Sequence, residues 1–315
     1  MKNRRLFRLG MFISIFAVAL SFTSCMEDLD SDYEKQVNTD DEKLSKHISD
    51  NNIQAQKNSW GFYYQAIVTN DTGRTLSRNN VVDFTYKISL LDGTVLEEST
   101  LENQLSGRFK LLNRSIVPEA LDKGISLMKT GEKFRFYIPA YLAYGYYGNT
   151  TIPANSHFIV EIAVTGVQSE TDIEVAQLDS LQRYFSVINT VFEKFASGLY
   201  YVENITGTGT KPHYGDRVTI SFTRKYLDTT IIKKVDSIDI ILGYGDAVQG
   251  LEEGIMQMRE GGKASLFMPA SIAFKESLMI LPQKAQTELL RDQVIRSEVK
   301  PYSMVQYNVE LKAVN

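Results

Sequence analysis

Aromatic and hydroxyl groups are concentrated in one turn of the sequence, at Leu142-Ala143-Tyr144-Gly145. A tyrosine combines an apolar ring with a hydroxyl that donates or accepts a hydrogen bond, which suits it to the wall of a binding pocket. The three histidines, His47, His157 and His213, lack the spacing of metal ligands and are expected to be ordinary surface residues. The sequence also has no phosphate-binding loop, dinucleotide fingerprint or supported Ser-His-Asp set. It therefore predicts an aromatic pocket, with no metal and no cofactor.

Two strands must hold this turn, because apolar and polar residues alternate on both sides of it. The alternating apolar residues are Phe134, Phe136 and Ile138 before the turn, and Phe158, Val160, Ile162 and Val164 after it. A period of two is typical of a strand that buries one face. The pattern therefore predicts two strands of one sheet.

The stretch from Gly131 to Val164 resembles the signature of the FKBP-type peptidyl-prolyl isomerases. That signature has a proline, an aromatic turn and an Ile-Pro-Pro element before a last alternating strand; the matching residues are Pro139, Leu142 to Gly145, and Ile152-Pro153-Ala154-Asn155. The resemblance implies an α+β fold in which a bent antiparallel sheet wraps around one short helix, with the pocket between them. It also implies catalysis of rotation about X-Pro amides, which needs no nucleophile because no bond breaks. Amide resonance sets the barrier at roughly 18 to 20 kcal/mol, and a dry apolar pocket lowers it.

The resemblance also implies which residues form the pocket. The implied catalytic residues are two tyrosines, a carboxylate and a backbone N–H donor, namely Tyr86, Tyr144, Glu97 and Val117. The implied substrate-binding residues are Leu96, Ile116, Leu121, Ile152 and Val160. Taken alone, a tyrosine on an alternating strand such as Tyr86 is more often a core or rim residue.

Several pocket positions depart from the family pattern. Leu96 and Glu97 stand where Phe-Asp is usual, Val160 replaces a phenylalanine, and Gly107 occupies the place of an aromatic wall. Leu121 takes the place of an aromatic floor. Thinned walls predict a broader pocket and modest activity.

An internal repeat predicts two such domains in tandem. The segment Gly198-Leu199-Tyr200-Tyr201 resembles Gly61-Phe62-Tyr63-Tyr64. Later segments of the two halves also match, at nearly the same separation along the chain. The first FKBP-like domain is expected at residues 61–168 and the second at 198–315.

The second pocket is expected to be degenerate. Phe222 and Phe274 replace both tyrosines, Lys233 falls near the carboxylate position, and residues 275–300 replace a loop. We expect a non-catalytic binding or assembly module. The apolar insert 275–300 is interpreted either as a lid over this second pocket or as a protein-binding surface.

Residues 169–197 are predicted to form a helical linker between the domains. Its apolar residues recur at intervals of three and four, at Leu178, Leu181, Phe185, Ile188, Phe192 and Phe195. This stripe is expected to pack on the adjoining sheet, and the alternative is pairing with another chain in a homodimer. The insert offers a second route to such an assembly.

The first 24 residues resemble a lipoprotein signal peptide, with basic residues, an apolar run and small residues before Cys25, the only cysteine. The resemblance implies that Cys25 is acylated and anchors the chain to a membrane. Residues 25–39 are predicted to be a flexible acidic tether, and residues 40–60 an N-terminal helical segment. The expected location is the cell envelope, at the periplasmic or surface side of an outer membrane.

Removal of residues 1–24 changes the formal net charge from −4 to −8, because this segment contains four basic residues and no acidic ones. A negative chain disfavours binding to nucleic acid. The leading hypothesis is an exported, lipid-anchored prolyl isomerase that acts on X-Pro segments of other exported proteins. The alternative is a non-catalytic chaperone or peptide-binding surface lipoprotein.

Overall fold

The computed structural model describes residues 24–100, 102–103, 105–188 and 190–315. The first antiparallel sheet has the order β1-β2-β7-β8-β3-β4, and β5 also pairs with β3. Its strands are β1 (Gln56–Lys57), β2 (Tyr63–Val68), β3 (Val81–Leu90), β4 (Val95–Glu98), β5 (Gly107–Lys110), β7 (Lys133–Ile138) and β8 (Phe158–Gln168). β6 (Ile116–Val117) lies outside this sheet, just before the short helix α2 (Ala120–Ile125).

Strands β7 and β8 are the two strands predicted around the aromatic turn, and they pair directly. Their alternating apolar residues are buried on the face that receives α2. Gly124 lets the helix approach closely, because a Cβ at this position would lie 2.7 Å from the ring of Phe136. Sheet and helix therefore enclose one apolar core.

The second sheet repeats this arrangement, with the order β12-β11-β15-β13-β10-β9. Its strands are β9 (Glu193–Lys194), β10 (Tyr200–Ile205), β11 (Arg217–Tyr226), β12 (Ile231–Ile241), β13 (Lys263–Met268) and β15 (Val305–Val314). Its helix, α4 (Gln249–Ile255), has Gly254 against Leu266, as Gly124 lies against Phe136 in the first domain. The predicted α+β fold with two such units is confirmed.

A linker helix, α3 (Glu170–Val187), joins the two sheets and begins with a capping box between Ser169 and Asp172. Leu181 and Phe185 are buried against the second sheet. These residues of the apolar stripe therefore pack on the adjoining sheet of the same chain, as predicted. Because the helix ends at Val187, the stripe's last residues lie beyond it.

The amino-terminal segment differs from the flexible tether predicted for residues 25–39. A single helix, α1 (Ser24–Asp50), runs through it. No glycine or proline interrupts residues 24–50, and ion pairs Lys35–Asp32 and Lys46–Asp50 connect successive turns. The predicted helical segment 40–60 is therefore helical only to Asp50.

Helix α1 docks on the first domain through Leu44 and Asp40, both completely buried. Asp40 accepts a hydrogen bond from the backbone N–H of Tyr141 at 3.1 Å. His157 is also buried, with Nε2 3.6 Å from Oδ1 of Asp40. The prediction of a surface histidine was wrong at this position, because the docking of a distant helix covers it.

The predicted signal peptide, residues 1–24, lies outside the described residues except for Ser24. Cys25 is part of α1, and its side chain does not belong to the described part of the structure. Among the described helices, none combines the length and apolar character that crossing a bilayer requires.

The apolar part of the insert 275–300 does not form a lid over the second pocket, the first of its two interpretations, but reaches the first domain; Glu298 of the same insert pairs with Arg224 of the second domain. Its strand β14 (Met279–Ile280) pairs in parallel with β6 of the first domain. A 3-10 turn (Gln283–Ala285) and the short helix α5 (Gln286–Arg291) follow. The two domains are therefore joined by the insert as well as by α3.

Candidate active site

Tyr86 and Glu97 form the polar end of the first pocket, where β3 and β4 lie side by side. The Tyr86 hydroxyl donates a hydrogen bond to Oε1 of Glu97, and only 3% of Tyr86 is exposed. Burial, together with the hydrogen bond to Glu97, raises the pKa of Tyr86 far above its ordinary value. The phenol is therefore a neutral donor at any physiological pH.

Tyr144 lies in the turn after β7, with its ring packed edge-on against Phe158 at a centroid distance of 6.0 Å. Burial raises the pKa of Tyr144, so this hydroxyl is also neutral. It donates a hydrogen bond of 2.9 Å to the carbonyl oxygen of Leu281. That oxygen belongs to the amide bond between Leu281 and Pro282.

The other predicted pocket residues lie around these two tyrosines. Four are completely or almost completely buried in the apolar core of the first domain: Ile116, Leu121, Ile152 and Val160. Leu96 packs against that core from a partly exposed position, and Val117 lies in β6. Tyr144, Glu97, Val117 and Ile116 contact residues 279–284 directly, Tyr86 is bonded to Glu97, and the other four belong to or pack against the same apolar core.

A segment of the second domain occupies this site. Leu281 is completely buried in the core of the first domain, together with Met279 and Ile280, and Pro282 is buried beside them. The backbone N–H of Leu281 donates to the carbonyl of Val117 at 2.9 Å. The peptide bond between Leu281 and Pro282 is cis, as is that between Val117 and Pro118.

Glu97 binds the backbone just after the proline. Its Oε1 accepts a hydrogen bond from the N–H of Gln283 at 2.7 Å, and its Oε2 accepts one from the N–H of Lys284 at 3.0 Å. Sequence reasoning missed residues 281–284 as part of this site, because they lie far along the chain and were assigned to the other pocket. Their Leu-Pro pair was the available signal.

The ring of Phe84 takes the place of the aromatic wall that the family pattern has at position 107. A Cβ added to Gly107 would lie 2.1 Å from the Phe84 ring, so this ring fills the space of the missing side chain. Phe84 also packs edge-on against Phe109 at 5.9 Å. Its position in the alternation of β3, two residues before Tyr86, could have revealed it.

The second pocket has a different polar group. Arg224, only 6% exposed, lies over the ring of Phe274 at 4.7 Å and forms an ion pair with Glu298. Lys233 also pairs with Glu298. A cavity of about 330 Å³ remains between Phe222, Arg224 and Phe274. Phenylalanine rings and a charged guanidinium thus line this pocket, whereas the first pocket has two tyrosines and a carboxylate.

Within the described part of the chain, no group of three or more His, Cys, Asp or Glu side chains is placed to hold a metal ion. The pocket of the first domain contains neutral phenols, one carboxylate and aliphatic side chains. Such a set can bind a peptide backbone by hydrogen bonds and an apolar side chain by burial.

A family model described as FKBP-type peptidyl-prolyl cis-trans isomerase matches residues 73–165 and 208–312, one stretch in each domain. Together the two stretches make up more than half of the chain. The chain belongs to the FKBP-type peptidyl-prolyl cis-trans isomerase family.

Curated relatives include peptidyl-prolyl cis-trans isomerase FKBP9 of Bos taurus, 22% identical over 215 residues, or 67% of this chain and 33% of that protein. FkpA of Aeromonas hydrophila is 30% identical over 108 residues, or 34% of this chain and 38% of that protein. The chain spans about a third of the length of these FKBP relatives. Among solved structures, FkpA from Escherichia coli aligns with a TM-score of 0.36 at 22% identity, covering 51% of this chain and 72% of that chain.

Proposed function

We propose that this FKBP family member is a peptidyl-prolyl cis-trans isomerase whose active site is the pocket of the first domain. One observation carries the proposal: the Tyr144 hydroxyl binds the carbonyl oxygen of Leu281, which is the oxygen of a prolyl amide. A peptide from outside would place its own X-Pro amide at this point, after residues 281–284 have left it.

The proposed mechanism rests on removal of water from the amide. The planar amide is charge-separated, and its resonance gives a barrier of roughly 18 to 20 kcal/mol. The aliphatic walls formed by Leu121, Ile152 and Val160 exclude water and so favour the less polar, twisted amide. The barrier falls without any covalent step.

The polar groups of the pocket would then hold the two sides of the proline. Tyr144 anchors the carbonyl before the ring, and Glu97 receives the backbone N–H groups after it. Tyr86 holds the Glu97 carboxylate in position through its own hydrogen bond. Since the carbonyl bond is made in both the planar and the twisted state, Tyr144 contributes mainly to substrate binding.

The second domain is proposed to be inactive in isomerisation. Its buried Arg224 lines the pocket and pairs with the partly exposed Glu298, whereas the first pocket presents neutral hydroxyls. A charged group would restore polarity around the amide and so oppose the effect of the apolar walls.

An isomerase assay with a Leu-Pro peptide tests this function. We expect cis-trans exchange to be much faster than the uncatalysed reaction, which takes tens of seconds at 25 °C. In a chain with an emptied pocket, Tyr144→Phe should raise KM more than it lowers kcat. Tyr146→Phe is the matched control, because Tyr146 is 70% exposed and its hydroxyl contacts Gln36 on the surface. No acceleration in either the wild type or a chain with an emptied pocket would refute catalysis.

A non-catalytic peptide-binding chaperone is the second candidate, since the pocket makes backbone contacts that hold a peptide without any need for turnover. Binding of Leu-Pro peptides with no change in their exchange rate would identify this function.

We also propose that the protein acts on exported polypeptides from a lipid anchor at Cys25. Metabolic labelling with a palmitate analogue tests the anchor, and label that persists in Cys25→Ala would contradict it.

A further inference from the structure

We propose that residues 278–284 are a resident ligand of the first pocket: a segment of the second domain that occupies the place of an X-Pro substrate and must leave before an outside polypeptide binds. The inference rests on the proposed function in taking this pocket as the substrate site. It adds a regulator, supplied by the chain itself.

The segment enters the pocket as a strand. Met279 pairs with Ile116 and Ile280 with Val117, in parallel register. The backbone N–H of Met279 donates to the carbonyl of Ser115 at 2.8 Å. Main-chain pairing of this kind is a common way for proteins to bind extended peptides, because it needs no particular side chain.

The centre of the segment fills the pocket. Leu281 is completely buried, and Met279 and Ile280 are 4% and 3% exposed. All three belong to the apolar core of the first domain, although the chain reaches them only after most of the second domain. Removing them would open the core of the first domain to water.

Every polar group proposed to bind substrate is engaged by this segment. The Tyr144 hydroxyl binds the carbonyl of Leu281, and both oxygens of Glu97 accept backbone N–H groups of Gln283 and Lys284. Since these groups cannot serve two peptides at once, the segment and an outside substrate exclude each other.

The rest of the insert also lies against the first domain. Three of its apolar residues, Ala285, Leu289 and Ile295, are buried in the same core, and exposed polar pairs such as Tyr147 with Asp292 at 2.9 Å, and Thr150 with Glu288, lie around them. Exposed pairs of this kind contribute little individually. Both ends of the insert remain attached to the second domain, so the released segment stays at high local concentration and competes with substrate.

The test uses the whole chain and a labelled peptide of the sequence Ser-Leu-Met-Ile-Leu-Pro-Gln-Lys, which copies residues 277–284. Leu281→Asp places a charge in the apolar pocket and should release the segment. Gln283→Pro is a gentler variant that removes one N–H donor to Glu97, at the first position of a 3-10 turn that tolerates proline. Thr287→Ala, at an exposed site on the same insert, is the matched control.

We expect Leu281→Asp to bind the peptide at least about tenfold more tightly than the wild type, and Gln283→Pro to lie between them, since a competent state gains affinity in proportion to its population. Thr287→Ala should match the wild type. Tighter binding supports the inference even if no variant isomerises a Leu-Pro peptide, in which case only the proposed catalysis fails. Equal affinity in the wild type and both release variants, or no binding by a variant that remains folded, would overturn it.

Discussion

The Tyr144 hydroxyl and the Leu281 carbonyl oxygen are 2.9 Å apart, although 137 residues separate them in the chain. Each residue comes from a different domain. The bond therefore joins the pocket of the first domain to the insert of the second, and its loss affects both occupancy and substrate binding.

Removal of the Tyr144 hydroxyl should weaken peptide binding in one background and leave it almost unchanged in another. A hydrogen bond of this kind contributes about 1 kcal/mol, or about fivefold in affinity. In Leu281→Asp, Tyr144→Phe should weaken peptide binding about fivefold, because the pocket is open. In the wild type the affinity should change little, since the resident segment and the peptide lose the same bond. Titration calorimetry of all four chains checks this, and equal losses in both backgrounds would contradict it.

Glu97→Gln should loosen the segment after its proline. A glutamine offers one acceptor oxygen, and its NH₂ group would face a backbone N–H that needs an acceptor. We expect a loss of about 2 kcal/mol in docking, or roughly thirtyfold faster hydrogen exchange at Gln283 and Lys284. Glu98→Gln, the exposed neighbour that pairs with Lys87, is the control. Unchanged protection of both amides in Glu97→Gln would rule out this role.

Glu298 should make stability depend on pH. Burial disfavours its charged form, but Lys233 and Arg224 outweigh burial and hold the pKa of Glu298 below its reference value of 4.5. The stabilisation is therefore complete above pH 4.5 and is lost as the pH falls through the lower, folded-state pKa.

Urea denaturation of wild type and Glu298→Gln measures this effect. The variant should be less stable at pH 7, by about 2 kcal/mol, because Arg224 loses a charged partner while it remains buried. The difference should shrink below pH 4.5. Glu193→Gln removes a carboxylate from an exposed position and is the control. A constant difference between pH 7 and pH 3 would refute the assignment.

Gly107→Ala should destabilise the first domain, since the new methyl group would overlap the ring of Phe84. Overpacking of this kind costs about 1 to 3 kcal/mol. Phe84→Leu added to Gly107→Ala should recover part of the loss by making room. Thermal unfolding of the two single variants and the double variant checks this, and strictly additive losses would show that the two positions do not share the space.

The repeated fold was predictable because its signals are local. Alternation in β7 and β8 and the aromatic turn between them depend on neighbouring residues, and they gave the correct strands. The three site residues Tyr86, Glu97 and Tyr144 were found by family resemblance, and the fold brings them together.

The missed features all depend on contacts between distant parts of the chain. His157 is buried because α1 covers it, and Gly107 lacks a side chain because Phe84 takes its space. The sequence predicts the insert as a lid over the second pocket or as a protein-binding surface, because it follows that pocket's strand and carries apolar residues. A pattern of apolar residues predicts that a segment will be buried, but it does not say against which partner.

The parallel pairing of β14 with β6 has a consequence for the order of synthesis. The first domain ends with β8 at Gln168, whereas its occupant begins only at Leu278. Under the proposed function, a chain that emerges from its amino terminus therefore presents a vacant substrate cleft while the remainder is still being made. During that interval the pocket is open to passing polypeptides, and it closes only when residues 278–284 have been made.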